Sequence, residues 1–412
     1  MTDDAAPRTA IVVGGGPAGL MVAEVLATHG LRVHVYDHMP SVGRKLLLAG
    51  RSGLNLTHSE PTDTLVDRYG SAAPIVAAVR AFDAGQLRAW AAGLGETTFI
   101  GSTGRVFPTS FRATPLLRAW LGRLATAGVT VHTRHRWTGW NAGPTDVCFE
   151  TPSGPVTVHA DVVVLALGGA SWPRVGSDGG WVRAVEASGV VVTSLRPANC
   201  GVIVAWQADF ADRFAGEPLK NVALGVAGSW ARGDITITGH GFESGPVYTQ
   251  SARIRDAIEA AGTCTVDVDL LPDLTVERVV ARLTQRRQKD SLSNALRRTL
   301  HLAPAAIALL RATANGPLPT DPTALATLLK AVPVTVVATA GIERAISTAG
   351  GIALDEIDER FMLRRLPGVF VAGEMLDWEA PTGGYLLQAT FATAVAAAHG
   401  AVTWVASLPP AT

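Results

Sequence analysis

The chain has 412 residues, 48% of them hydrophobic and 17% charged, which is ample for two or three packed domains and excludes a disordered chain. Basic and acidic residues number 35 each, a net charge of zero at pH 7, so nothing in the balance calls for nucleic acid or an anionic membrane. Cys148, Cys200 and Cys264 share no CxxC or other metal-ligand spacing, which argues against a disulfide framework and a structural zinc, and no metal site is expected. The acidic start MTDDAAPRTA carries no basic stretch and no cleavage signal, so the expected location is the cytoplasm.

The run TAIVV at 9–13 reads as a buried parallel strand. GGGPAG follows at 14–19, then a helix reaching His29, with Gly30 at the position of a C′ glycine. A second strand, LRVHVYD, ends on Asp37. Strand, GxGxxG, helix, strand and acid in that order point to a bound dinucleotide. Gly14 makes the tight turn, Gly16 admits a pyrophosphate to the backbone, and Gly19 lets helix and strand pack closely. The helix N-terminus offers free N–H groups to the anion, and Asp37 accepts from the adenosine ribose. The bland alternative, a glycine-rich turn beside an unrelated acid, leaves the other matches unexplained. HMPSVGRKLLLAGRSGLNLTH comes next, with Arg44 and Lys45 before a Gly- and Asn-rich turn. A basic pair near the pyrophosphate and a long second crossing suit FAD better than NAD(P), although such a pair elsewhere is usually a solvated loop.

Residues 73–82 read as a helix with Ile75, Val79 and Phe82 on one face. Asp83 and Gln86 form a capping box for another. GSTGRVFPTSFRATP (101–115) is a polar loop, after which Thr114 is the expected N-cap and Pro115 the N1 residue of a helix ending at Gly128. VTVHT (129–133), VCFET (147–151) and VTVH (156–159) read as a meander. DVVVLALGGAS (161–171) is a buried strand ending in Gly168-Gly169, able to pass close to a cofactor. From about 190 to 345 short strands come first, then helices with Arg-rich faces at 275–330. The RRQK run at 286–289 reads as a solvated face. No second GxGxxG occurs, so a dedicated nicotinamide-binding domain is not expected. Toward the C-terminus, LPGVFVAGEMLDWEAPTGGYLLQATFATAVAAAHGA (366–401) reads as strand, turn and long small-residue helix. Gly373 and Glu374 can reach ribityl hydroxyls, and Gly383-Gly384 opens a helix toward the flavin pyrimidine edge. Gly350-Gly351 is a further close-approach candidate. The stretch 389–408 reads as a buried helix rather than a membrane span.

GGGPAG, GRKLLLAGRSGLNLTH, GRVFPTSFRATP, DVVVLALGGASWPRVGSDG, TGHGFESGP, ISTAGGIALDEI and GVFVAGEMLDWEAPTGGYLLQA together make the chain resemble the bacterial YhiN/BaiN-type flavoproteins over residues 11–401. The resemblance implies an α/β fold, a Rossmann-like three-layer FAD domain built from 1–190 and 345–412. A β-rich subdomain (191–272 and 331–344) and a helical subdomain (273–330) would be inserted. By motif position it assigns FAD contacts to Gly14, Gly16, Pro17, Ala18, Gly19, Asp37, Arg44, Lys45, Asn55, Gly168, Gly373, Glu374, Gly384 and Leu386. Where the family has Gly-Arg-Cys-Asn-Leu-Thr-Asn, this chain reads Ser52-Gly53-Leu54-Asn55-Leu56-Thr57-His58, without the Arg and Cys. Where the family has Ala-Thr-Gly-Gly it reads Ala166-Leu167-Gly168-Gly169. A divergent branch is expected.

The implied activity is FAD-dependent reduction of an activated C=C, enone-like or uracil-like, with NAD(P)H or a partner protein as electron donor. A small-molecule substrate is the first expectation. Arg105 and Arg112 are candidates to bind an anionic or carbonyl oxygen, and His240 a candidate acid near neutral pH. Surface roles are the alternative for all three, and for Asp377 a loop cap. The rival readings are a flavoenzyme reducing a base in ribosomal RNA, a flavin-bound sensor or assembly protein without turnover, and, less favoured, a flavin monooxygenase. In the RNA reading the Arg-rich helices would form the surface and Trp206 and Trp230 would stack on bases.

Overall fold

Thr9–Val13 (β1) is buried at every position after the first, as a strand covered on both faces must be. It sits in the middle of a five-stranded sheet in the computed structural model, which describes residues 7–206, 208–285, 291–314 and 316–409. The RRQK run lies outside those residues. The sheet order is Val369–Val371, Val162–Leu165, β1, Arg32–Asp37 (β2) and Thr130–Thr133, with every pairing parallel. The chain leaves β1 toward β2 on one side and later fills the other, so the order reverses between β1 and Val162–Leu165. In parallel sheets that reversal opens a crevice at the strands' carboxyl ends. Gly14 and Ala166 stand there.

Pro17–Thr28 (α1) has Pro at its first position and Gly16 as N-cap, and the last helix, Tyr385–Ser407, packs along it. That helix is long and apolar enough to cross a membrane, yet 56% of its most apolar window is buried. Ala389, Ala392, Ala394, Ala397, Ala398 and Ala401 are the small residues that let it sit deep in the core. The capping box at Asp83 and Gln86 is present in both directions.

Two local expectations are overturned. Thr130–Thr133 joins the parallel sheet beside β2, and the antiparallel three-stranded sheet is Arg136–Trp140, Asp146–Thr151 and Gly154–His159. The helix expected to be capped by Thr114 begins at Ala113, with Arg112 as N-cap. Ala113 packs on Gly50, where even a methyl group would stand 2.5 Å from its Cβ. Pro115 falls at the third helical position, whose N–H needs no intrahelical acceptor.

The chain divides into two compact units, Met1–Arg196 with Ser347–Thr412, and Pro197–Ile346. The second unit is a closed antiparallel barrel of Val202–Val204, Gly241–Glu243, Ser229–Ile237, Pro218–Val226, Cys264–Asp269 and Val332–Thr339. It carries the helices Gly245–Ala261, Val276–Thr284, Leu292–Thr299, Pro304–Ala312 and Pro322–Lys330, and has a hydrophobic core of its own. Trp206 packs on Phe210 and Phe242 there, so it is not free to stack on a base. Trp230 is 48% exposed.

Candidate functional site

The glycine loop can be read from where a Cβ would fall. Gly14 has φ +107, and a Cβ there would lie 2.2 Å from the carbonyl oxygen of Ala166. A Cβ on Gly19 would lie 1.8 Å from the oxygen of Gly14. Protein backbone therefore dictates both. Gly16 differs: its φ is −79, which any residue adopts, and a Cβ would meet nothing within 4 Å. The space before the N-terminus of α1 is open, and no side chain caps that helix. Asp37 accepts from the backbone N–H of Gly15 through Oδ2 and of Met39 through Oδ1, each at 2.7 Å. Each oxygen keeps capacity for a second donor.

Gly43, in the left-handed region, starts the helix Arg44–Ala49 (α2). Arg44 donates through Nη1 to Ser41 at 3.2 Å, while its buried Nε has no acceptor, and the buried Oδ1 of Asn55 has no donor. Buried polar atoms are rarely left so unless something else completes them. An anion before α1 and a polar cofactor edge at Asn55 would do so, and the donor set fits the diphosphate and ring of a dinucleotide. Lys45 turns the other way. Its Nζ pairs with Glu374 Oε2 at 2.6 Å and donates to Ser171 Oγ at 2.7 Å. Glu374 Oε1 accepts from the Thr348 N–H at 3.0 Å. The two residues expected to approach the cofactor separately thus form one ion pair that ties α2 to the later strand ends. Gly168 accepts from Trp181 Nε1, and Gly373 from Trp378 Nε1. Gly350 is glycine because its Cβ would lie 2.2 Å from the oxygen of Ser194, a protein contact. Pro17 and Ala18 open α1, and Leu386 packs against the main core.

A second cluster was not legible in the sequence. Gly384 caps the last helix at φ +102, its missing Cβ making room for the oxygen of Thr57. The Tyr385 ring stacks on His58 at 5.2 Å, and the Arg68 guanidinium lies over it at 5.6 Å. Arg68 holds Glu60 through two hydrogen bonds of 3.1 and 3.0 Å, and these keep the Glu60 carboxyl below its ordinary range. Burial first, then the hydrogen bond with Glu60, push the Tyr385 phenol up to about 12. Tyr69 donates to the Tyr385 carbonyl at 2.8 Å. The Glu60 N–H points at His58 Nδ1 at 3.2 Å, and His58 Nε2 lies 3.0 Å from the Thr103 carbonyl.

Arg105 pairs with His58 across the strands, and its Nε lies 3.9 Å from where a Gly383 Cβ would be. Arg105 is thus brought beside the Gly383–Tyr385 turn. Arg112 is exposed at the N-cap position of the helix beginning at Ala113, with no side-chain capping hydrogen bond. His240 belongs to the other unit, on an exposed turn where its N–H donates to Thr238 at 3.3 Å. Asp377 accepts from Thr193 at 2.7 Å and donates its N–H to the oxygen of Ile352, which is the loop-securing role.

A parallel sheet with an anion-receptive helix start at its switch point defines a dinucleotide-binding α/β protein. The chain belongs to the HI0933-like Rossmann-domain family, whose pattern matches residues 8–400. It is an FAD-dependent oxidoreductase. It is 25% identical over 410 residues, 95% of this chain and 98% of the other, to a 3-dehydro-bile acid delta(4,6)-reductase of Clostridium scindens. It is also 25% identical over 409 residues, 95% and 97% of the two chains, to a ribosomal RNA dihydrouridine synthase of Escherichia coli. In fold it is similar to the 3-ketosteroid delta1-dehydrogenase of Sterolibacterium denitrificans, with a TM-score of 0.53 at 13% identity over 96% of this chain and 100% of that one.

Proposed function

We propose that the protein reduces a C=C bond conjugated to a carbonyl, in an enone-like or uracil-like ring, with NAD(P)H as the electron donor. The observation that carries this reading is Arg105. Its side chain is exposed, forms no ion pair among the described residues, and stands beside Gly383 at the start of the last helix. A cation there can hold the carbonyl oxygen on which negative charge develops as the conjugated bond is saturated. The names of two relatives support the bond type, since a delta(4,6)-reductase and a dihydrouridine synthase both act on ring C=C bonds conjugated to carbonyls. Bound flavin supplies hydride exchange at N5. Arg44, Asn55 and the start of α1 would bind and orient it. The Lys45–Glu374 pair would hold the surrounding strand ends together, and Tyr385, kept protonated, offers a neutral polar wall. The test is anaerobic stopped-flow reduction by NADH and by NADPH, followed by addition of an enone or of ribosomal RNA. Bleaching by one donor and recovery with the enone or the RNA is the expected result. No bleaching with either donor would remove the nicotinamide-linked reading, and bleaching without recovery would remove the C=C reading.

A further inference from the structure

The strand Arg105–Pro108 pairs with Thr98–Ile100, setting Phe99 opposite Phe107. Alternate residues of a strand share a face, so Arg105, Phe107 and Phe99 project on the same side, while Val106 is fully buried on the other. Phe111 closes the group: its ring lies 5.0 Å from Phe107 and 6.2 Å from Phe99, and Phe99 lies 5.7 Å from Phe107. Phe99 is 42% and Phe111 44% exposed, a concentration of aromatic surface that a soluble chain seldom leaves bare without use. The ledge is built to stay in place. Phe111 has φ +58, a conformation bulky residues rarely adopt. Its ring lies on the backbone of Gly53, where a Cβ would be 2.4 Å from Cζ. Gly53 belongs to the loop that carries Asn55 with its buried, unpartnered oxygen.

We propose that Phe99, Phe107 and Phe111 form the binding ledge for a flat, multi-ring small molecule whose carbonyl oxygen is held by Arg105. The ring face stacks on the phenyl groups, and the carbonyl end points toward the Gly383–Tyr385 turn. A flat uncharged ring system fits better than a polynucleotide. Among the described residues Arg105 and Arg112 lie at its edge with no carboxylate partner, and two such cations fall short of the row that a strand of phosphates calls for. The inference rests on the proposed reduction of conjugated C=C bonds and locates its substrate.

Isothermal titration calorimetry of the FAD-loaded protein with 4-androstene-3,17-dione, a four-ring enone, tests it, with a uridine-rich RNA 12-mer as the counter-probe. Phe99→Ser and Arg105→Gln should each weaken enone binding by about five- to tenfold, with FAD content and Tm unchanged. An unchanged Kd in both variants would overturn the ledge, as would no heat with the wild-type protein, binding of the RNA alone, or a dimer that Phe99→Ser dissociates. The same variants in stopped flow separate the two claims. Flavin reoxidised by the enone at unchanged Kd in both variants leaves the reaction standing and removes the ledge. Weakened binding with no reoxidation in the wild type leaves the ledge standing and removes the reaction.

Discussion

The loop between β1 and α1 and the cluster around Tyr385 both belong to the unit that holds the parallel sheet, and they are made in opposite ways. In the loop, chemistry comes from what is missing: backbone occupies the space of a Cβ at Gly14, and open space replaces it at Gly16. In the cluster it comes from side chains: His58, Glu60, Arg68 and Tyr385 hold one another by stacking, cation contact and hydrogen bonds. A backbone-made site tolerates almost no added atoms, while a side-chain site tolerates isosteric change and responds to pH.

That contrast orders the effects expected of substitutions on stability. Gly14→Ala is the most damaging. It sets a methyl group against the Ala166 oxygen at a φ unsuited to alanine, and a loss of about 3 kcal/mol or more is expected in denaturant melts. FAD should be lost with it. Lys45→Met comes next. It leaves Glu374, whose side chain is 17% exposed, without its cation, at a cost of about 1–3 kcal/mol. A double variant that also carries Glu374→Gln should recover part of that loss.

Glu60→Gln should have a smaller effect that depends on pH. The folded-state carboxyl of Glu60 is held below its ordinary value of 4.5, chiefly by the Arg68 hydrogen bonds. The pair therefore stabilises the fold above that value, and the contribution fades as pH falls through the lowered one. Wild type should melt at a higher temperature than Glu60→Gln at about pH 7, and the gap should narrow steadily as pH falls below the ordinary carboxylate value. A gap that does not vary with pH would mean that packing rather than charge holds the cluster. The pairing also predicts that Tyr385 titrates later than the other tyrosines, save the buried Tyr69, when phenolate absorbance is followed upward in pH, and earlier in Glu60→Gln.

The two regions also differ in how far they could be foreseen. The glycine loop is one continuous segment, and each of Gly14, Gly16, Gly19 and Asp37 has a role set by local spacing. Lys45 and Glu374 are 329 residues apart, and Tyr69 and Tyr385 are 316 apart, so no local pattern announces either contact. Thr130–Thr133 shows the same limit within a single strand. Its alternation marks it as extended, but its partner is set by the parallel register that places Val131 beside Val35. Thr114 carried a good cap signal and lost to the packing of Ala113 on Gly50. The aromatic ledge was hidden because Phe107 and Phe111 sit in the stretch 101–115 that reads as polar loop, with Phe99 just before it, and only strand pairing gathers them.

Gly16→Ala tests the account most directly, because the structure separates its two consequences. The backbone there suits alanine and nothing of the protein lies within 4 Å of the added methyl, so the apoprotein should melt within about 0.5 kcal/mol of wild type. If the open space is where the diphosphate approaches α1, FAD affinity measured by fluorescence titration should fall by at least about tenfold. An apoprotein of normal stability that binds FAD as tightly as wild type would place the cofactor elsewhere and contradict the account.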